Sequence, residues 1–184
     1  MQVRAKDLTL LPNLMSLSRI VLIFIPAYLI STQRPELRIW ALILVLVGIL
    51  SDILDGVIAR RFNMASDLGR ILDPLADKIC TGILVVTLYL YADFPLWGVL
   101  LIVARDISVL LFSLMAIRKT AFILPSNMIG KFAALSWGLA IAIYIIDFSV
   151  LKTPILAIAV ILLIASAVSY LRQFNSHLRR SGSL

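Results

Sequence analysis

The chain has one cysteine and one histidine in 184 residues. Cys80 has no second thiol to meet, so a disulfide scaffold is excluded and the redox compartment cannot be read from cysteine usage. His177 stands alone in a polar C-terminal stretch, and a Ser/His/Asp hydrolase lacks its parts. Seven prolines and eight glycines are too few for collagen-like or low-complexity sequence. Charge is scarce too. Only 15% of residues are Asp, Glu, Lys or Arg, against about 25% in an average soluble domain.

What fills the space is hydrocarbon. Apolar residues make up 61% of the chain and the mean hydropathy is +1.04. A body of this size cannot bury that much apolar surface, which nearly excludes a soluble globular domain. Runs of about 20 apolar residues cross a bilayer as helices. They predict six spans, over 13–31, 37–60, 67–92, 95–117, 127–147 and 154–173, and hence an all-α integral membrane protein. Polar or proline-marked breaks separate them, at Arg34-Pro35-Glu36, after Arg60, at Asp93-Phe94-Pro95, from Arg118 to Pro125, and at Lys152-Thr153-Pro154. The first span reads as a retained helix rather than a signal peptide, because Arg19 and Pro26 interrupt it and no small-residue cleavage site follows. Residues 1–12 suit a short interfacial amphipathic helix or a frayed end. Residues 1–184 are expected to form one membrane domain.

Net charge is +7. No long basic tail or aromatic-interleaved patch accompanies it, which argues against a nucleic-acid partner. Twelve of the 17 Lys and Arg fall at the N-terminus, the second and fourth loops and the C-terminal tail, and three on the opposite side. By the positive-inside rule both termini are expected in the cytoplasm.

The ten acids are unevenly spread. Asp52, Asp55, Asp67, Asp73 and Asp77 crowd into 26 residues. Asp52, Asp55, Gly56 and Ala59 share an arc of roughly 100° on one helix face, and Gly69, Asp73 and Asp77 step by four along the next. The second of these faces needs a helix that has begun by Ser66 or Asp67 and runs through Pro74. The rival reading makes Asp73 an N-cap with Pro74 in the first turn. Two helices joined by a short loop pack antiparallel, so the acidic faces can meet near the cytoplasmic surface. A salt-bridge network with Arg60, Arg61, Arg70 and Lys78 is the plain alternative, but it explains neither the spacing nor the small residues. Carboxylates without His or Cys select Mg²⁺, Mn²⁺ or Ca²⁺, and two such cations can hold a pyrophosphate between them. A divalent-cation transporter is the reading from another class, although transporter ion sites lie near the midplane on broken helices.

The pattern Asp52-x-x-Asp55-Gly56-x-x-Ala59-Arg60-x8-Gly69-x3-Asp73-x3-Asp77 resembles the signature of the CDP-alcohol phosphatidyltransferases at every specified position. The resemblance implies two divalent cations, Mg²⁺ or Mn²⁺, held by Asp52, Asp55, Asp73 and Asp77, with Asp77 also the general base. It implies that Gly56, Ala59 and Gly69 let a CDP-lipid approach, with Arg60 near its phosphates. Pro12-Asn13-x-x-Ser16-x-x-Arg19 resembles a stretch of the family's first helix, with Ser16 where Thr is usual, and places Asn13, Ser16 and Arg19 at the CDP-lipid phosphates. CDP-diacylglycerol would be the donor and CMP the leaving group. A homodimer in a bacterial inner membrane, its active site facing the cytoplasm, is expected from the same likeness.

Positive charge in the second half bears on the acceptor. Arg105-Asp106 lies inside a span, where charge marks function by default, with a local pair between the two as the plain alternative. Arg118 and Lys131 flank the fourth loop, where they could instead serve topology or lipid headgroups. Cations beside a phosphoryl-transfer site suit an acceptor that carries phosphate. Arg105 followed by an acid, then Gly130-Lys131, is similar to the phosphatidylglycerophosphate synthases of this family, which use glycerol 3-phosphate. Arg105-Asp106 with Pro125-Ser126-x3-Gly130-Lys131 is also similar to its cardiolipin synthases, which use phosphatidylglycerol. Inositol phosphate is a third candidate acceptor.

Overall fold

The computed structural model describes residues 11–61, 69–118 and 128–181, with side chains described over 14–52, at 54, and over 72–108 and 128–169. These residues form seven helices and no strand: α1 (Leu11–Leu22), α2 (Phe24–Ser31), α3 (Pro35–Arg61), α4 (Gly69–Tyr91), α5 (Leu96–Arg118), α6 (Met128–Ile145) and α7 (Ser149–Ser181). Where lipid replaces water, a helix is the one open element that satisfies every backbone group within its own segment. The interfacial helix expected over 1–12 lies, but for its last two residues, outside the described part of the chain.

The expected first span is two helices. Pro26 has no N–H to give the Leu22 carbonyl and its ring crowds the preceding turn. The bond to Leu22 is therefore missing, but the turn between α1 and α2 stays helical: Ile23 has φ −63° and ψ −23°, its N–H donates to Arg19 O at 3.0 Å, and Ala27 N–H donates to Ile23 O at 3.2 Å. The helix through Pro74 is continuous from Gly69, which favours the early start over Asp73 as an N-cap. The break expected at Lys152-Thr153-Pro154 is a correction. Helix α7 begins at Ser149, so all three residues lie inside it. One proline that early in a helix removes a single backbone hydrogen bond, and the chain reverses before it. Asp147 takes a left-handed φ of 61°. Its N–H donates to Tyr144 O at 3.3 Å and the Phe148 N–H to Ile143 O at 3.2 Å, the paired bonds of a Schellman ending. Gln33 and Asp93, both at φ 56°, end α2 and α4 in the same left-handed way.

The chain divides into two compact units, 1–120 and 121–184. In the first, α4 packs on α1, α2 and α5, and α3 packs on α1 and α2. Its buried residues include Ile30, Ala41, Ala76, Leu84, Val85, Leu88 and Phe94. A Cβ on Gly98 would come within 2.8 Å of the Phe94 ring, so only glycine leaves room for that ring at the α4–α5 turn. Arg38 is buried at 5% exposure, and its Nη2 donates to Tyr91 O at 3.0 Å, tying the start of α3 to the end of α4. A guanidinium at a helix C-terminus satisfies an orphan carbonyl and meets the negative end of the helix dipole. Charged hydrogen bonds of this kind contribute about 2 kcal/mol. Arg38→Met is therefore expected to lower the thermal unfolding midpoint in detergent by roughly 4–8 °C.

In the second unit Ala133, Trp137, Ala140 and Tyr144 lie along one face of α6, and Leu156, Ala159 and Ser166 along one face of α7. Small residues on both faces allow close approach of the two backbones. At the turn Lys152 pairs with Asp147 and stands 5.2 Å from the centre of the Tyr144 ring.

Large apolar residues cover the outside, among them Val21, Tyr28, Trp40, Leu50, Leu100, Leu135, Val150 and Ile161. Among the described residues four stretches are long and apolar enough to cross a bilayer: Leu14–Ser31, Leu72–Tyr91, Met128–Ile145 and Ser149–Ser169. Helices α3 and α5, of 27 and 23 residues, match the other two expected spans in position but carry Glu36, Arg38, Asp52, Arg105 and Asp106 along their length.

Candidate active site

Three helices meet over the acidic residues. On α1, Ser16 and Arg19 are three apart and share a face. Ser16 is fully buried, and its hydroxyl donates to Asp73 Oδ1 on α4. Arg19 Nη1 donates to Asp52 Oδ1 on α3, with 48% of the Asp52 side chain still exposed. The Cys80 thiol, two turns along α4 from Asp73, lies within electrostatic range of Arg19, Asp77 and Asp52. The α1 face expected to reach phosphates is thus aimed at the aspartates of α3 and α4, and holds one on each.

Asp77 sits one turn beyond Asp73 with half of its side chain exposed, and Lys78 Nζ lies 2.9 Å from its Oδ2. The same ammonium is 3.4 Å from Asp106 Oδ1 on α5. Asp106 is 7% exposed and also accepts from Arg105 Nη1 at 3.3 Å. Lys78 and Asp106 line a recess of about 100 Å³ between α4 and α5, with Gly82, Ile102, Val103 and Ile107 supplying its apolar wall.

Several expected site residues fall outside the described side chains. Asn13, Asp55, Gly56, Ala59, Arg60, Gly69 and Arg118 lie on α1, α3, α4 and α5, but only their backbone is described. Lys131 is exposed on α6, in the second unit. Arg105 pairs with its neighbour Asp106. The role of Asp106 as a buried anchor for two cations is absent from the sequence reading. Its position inside an apolar span was the available signal, but Lys78, 28 residues away, could not be matched to it by spacing.

The donor chemistry suits a hard divalent cation. The described acids offer carboxylate oxygens alone, with no imidazole beside them. As placed, no three acidic, His or Cys side chains among the described residues stand close enough to enclose an ion. Each described aspartate of the pattern is held instead by the protein's own side chains: Asp52 by Arg19, Asp73 by Ser16 and Asp77 by Lys78. A carboxylate has about four lone-pair sites, so one such contact leaves acceptor capacity for a metal.

Comparison with known proteins covers the stretch that holds these residues. A model of the CDP-alcohol phosphatidyltransferase family matches residues 9–168, from the start of α1 to near the end of the apolar part of α7. The chain belongs to that family. It is an enzyme, a membrane transferase of phospholipid biosynthesis. It is 27% identical over 87% of its length to a probable phosphatidylglycerophosphate synthase of Mycobacterium tuberculosis, covering 79% of that protein. It is 32% identical over 86% of its length to a CDP-diacylglycerol–glycerol-3-phosphate 3-phosphatidyltransferase of Aquifex aeolicus, covering 92% of it. It is also 36% identical over 67% of its length to a CMP-forming cardiolipin synthase of Streptomyces coelicolor, covering 59% of it.

Proposed function

We propose that the protein transfers the phosphatidyl group of CDP-diacylglycerol to the hydroxyl of glycerol 3-phosphate, giving phosphatidylglycerophosphate and CMP. The observation that carries this is the meeting of α1, α3 and α4 over the aspartates, with Ser16 on Asp73 and Arg19 on Asp52. Two relatives named for this substrate or product pair with the chain over most of both lengths.

Asp52, Asp55, Asp73 and Asp77 would hold two divalent cations, Mg²⁺ or Mn²⁺. When bound, these draw charge from the pyrophosphate and make CMP a better leaving group. Asp77 accepts the proton of the acceptor hydroxyl as that oxygen attacks the phosphorus carrying the lipid. Asn13, Ser16 and Arg19 line the donor phosphates from α1. Gly56, Ala59 and Gly69 leave space for the CDP group, with Arg60 beside it. Arg105, Arg118 and Lys131 attract the phosphate of the acceptor. Six helices place the aspartates at the cytoplasmic surface, with both termini on that side of a bacterial inner membrane. The full 184 residues act as one membrane domain, in a homodimer.

A second reading takes phosphatidylglycerol as acceptor and yields cardiolipin. The Streptomyces relative favours it, as does the sequence Arg105-Asp106 followed by Pro125-Ser126-x3-Gly130-Lys131. Purified protein given CDP-diacylglycerol, Mg²⁺ or Mn²⁺ and one acceptor at a time separates the two. Phosphatidylglycerophosphate formed from glycerol 3-phosphate alone is the expected product. Cardiolipin appearing only with phosphatidylglycerol overturns it, and a product only with inositol phosphate overturns both.

A further inference from the structure

The Lys78 ammonium stands between two carboxylates on different helices. It is 2.9 Å from Asp77 Oδ2 and 3.4 Å from Asp106 Oδ1, so a small swing of a flexible four-carbon side chain trades one partner for the other. The two partners differ in their surroundings. Asp77 is half exposed, whereas Asp106 is 7% exposed against Ile102, Val103 and Ile107. A carboxylate in such surroundings holds cations strongly, because an unpaired buried charge is costly. Arg105 Nη1, 3.3 Å from the same Asp106 oxygen, is a second partner that holds the carboxylate in place while Lys78 moves. An ammonium and a divalent cation are rivals for the same Asp77 oxygens, and they repel each other at short range.

We propose that Asp106 is a positioning residue for Asp77 that acts through Lys78. It gives the ammonium a second seat, inside the recess, so that the Asp77 carboxylate is released to the divalent cation. Lys78 is then shared by Asp77 and Asp106 when no metal is present and is the counter-ion of Asp106 alone when one is. This rests on the proposed role of Asp77 as a metal ligand.

The two partners should act in opposite directions on metal affinity, a result that a simple α4–α5 tie does not produce. Mn²⁺ binding to the purified full chain in detergent, without substrate, is read by electron paramagnetic resonance. Asp106→Asn leaves Lys78 on Asp77 and should weaken Mn²⁺ binding by about fivefold, the scale of a half-exposed ion pair. Lys78→Met removes the rival and should tighten binding by about fivefold. The double variant should bind as K78M alone, and Asp106→Glu should restore the affinity of the unaltered protein. Weaker binding in both single variants, or additive effects in the double, overturns the proposal. If Asp106→Asn fails to fold, unchanged or weaker binding in K78M overturns it by itself. Asp77→Asn distinguishes the layers. Unchanged Mn²⁺ affinity there removes Asp77 as a ligand and the proposal with it, whereas a loss there beside no effect of D106N removes only the role of Asp106.

Discussion

Asp77→Asn is expected to lower kcat by about 10³-fold, within the range that a positioned general base contributes, while CDP-diacylglycerol still binds. Asparagine keeps the size of the side chain but has no oxygen that accepts a proton at neutral pH and is a poor ligand for a hard cation. The half-exposed position of Asp77 leaves its carboxylate open to an incoming acceptor. The variant should therefore separate binding from chemistry. Retained donor affinity is read from equilibrium binding of a CDP-lipid, and turnover from release of CMP. Near-normal CMP release from D77N would remove the base assignment, whatever the acceptor proves to be.

Chelation should have an effect as large. Treatment with EDTA is expected to bring CMP release to background, with Mg²⁺ or Mn²⁺ restoring it. Asp52→Asn and Asp73→Asn should each raise the metal concentration needed for half-maximal rate by more than about tenfold, since even an outer partner of a metal ligand is worth about 10–100-fold in affinity. Ser16→Ala makes the useful contrast. It removes a hydroxyl donor from Asp73 but no ligand, so its shift should be smaller than that of Asp73→Asn. Equal shifts would mean that Asp73 serves to hold α1 against α4 rather than to bind metal. Full activity in EDTA would overturn the metal reading altogether.

Much of the fold was legible because lipid simplifies the physics. A backbone in hydrocarbon must close its own hydrogen bonds, so each long apolar run becomes a helix, and the polar or proline-marked stretches become candidate breaks. The positions of α3 to α6 follow the runs to within a few residues. Prolines were harder to place. Pro26 divides the first run into α1 and α2 with the turn at Ile23 still helical, whereas Pro74 and Pro154 are carried inside helices. A proline costs one backbone hydrogen bond and a clash, and the packing around it decides whether the helix yields. Arg38 shows the same limit for charge. It counts with the few cations on one side of the membrane, yet its buried guanidinium closes the end of α4.

The sequence by itself determined the helical class, the membrane setting and the spacing pattern of the aspartates. These depend on composition and on spacing within single helices, which a repeat of 3.6 residues makes readable. Tertiary structure alone decided the partners: Ser16 with Asp73, Arg19 with Asp52, and Lys78 between Asp77 and Asp106. Apart from Lys78 and Asp77, which are neighbours on α4, those pairings join residues on different helices, up to 57 positions apart. No local period encodes them, because they depend on the register and rotation at which the helices pack. The scarce charges of the chain thus have a second meaning. Their positions along the chain pointed to a site, and their pairings across helices show which cations a metal ion would meet there.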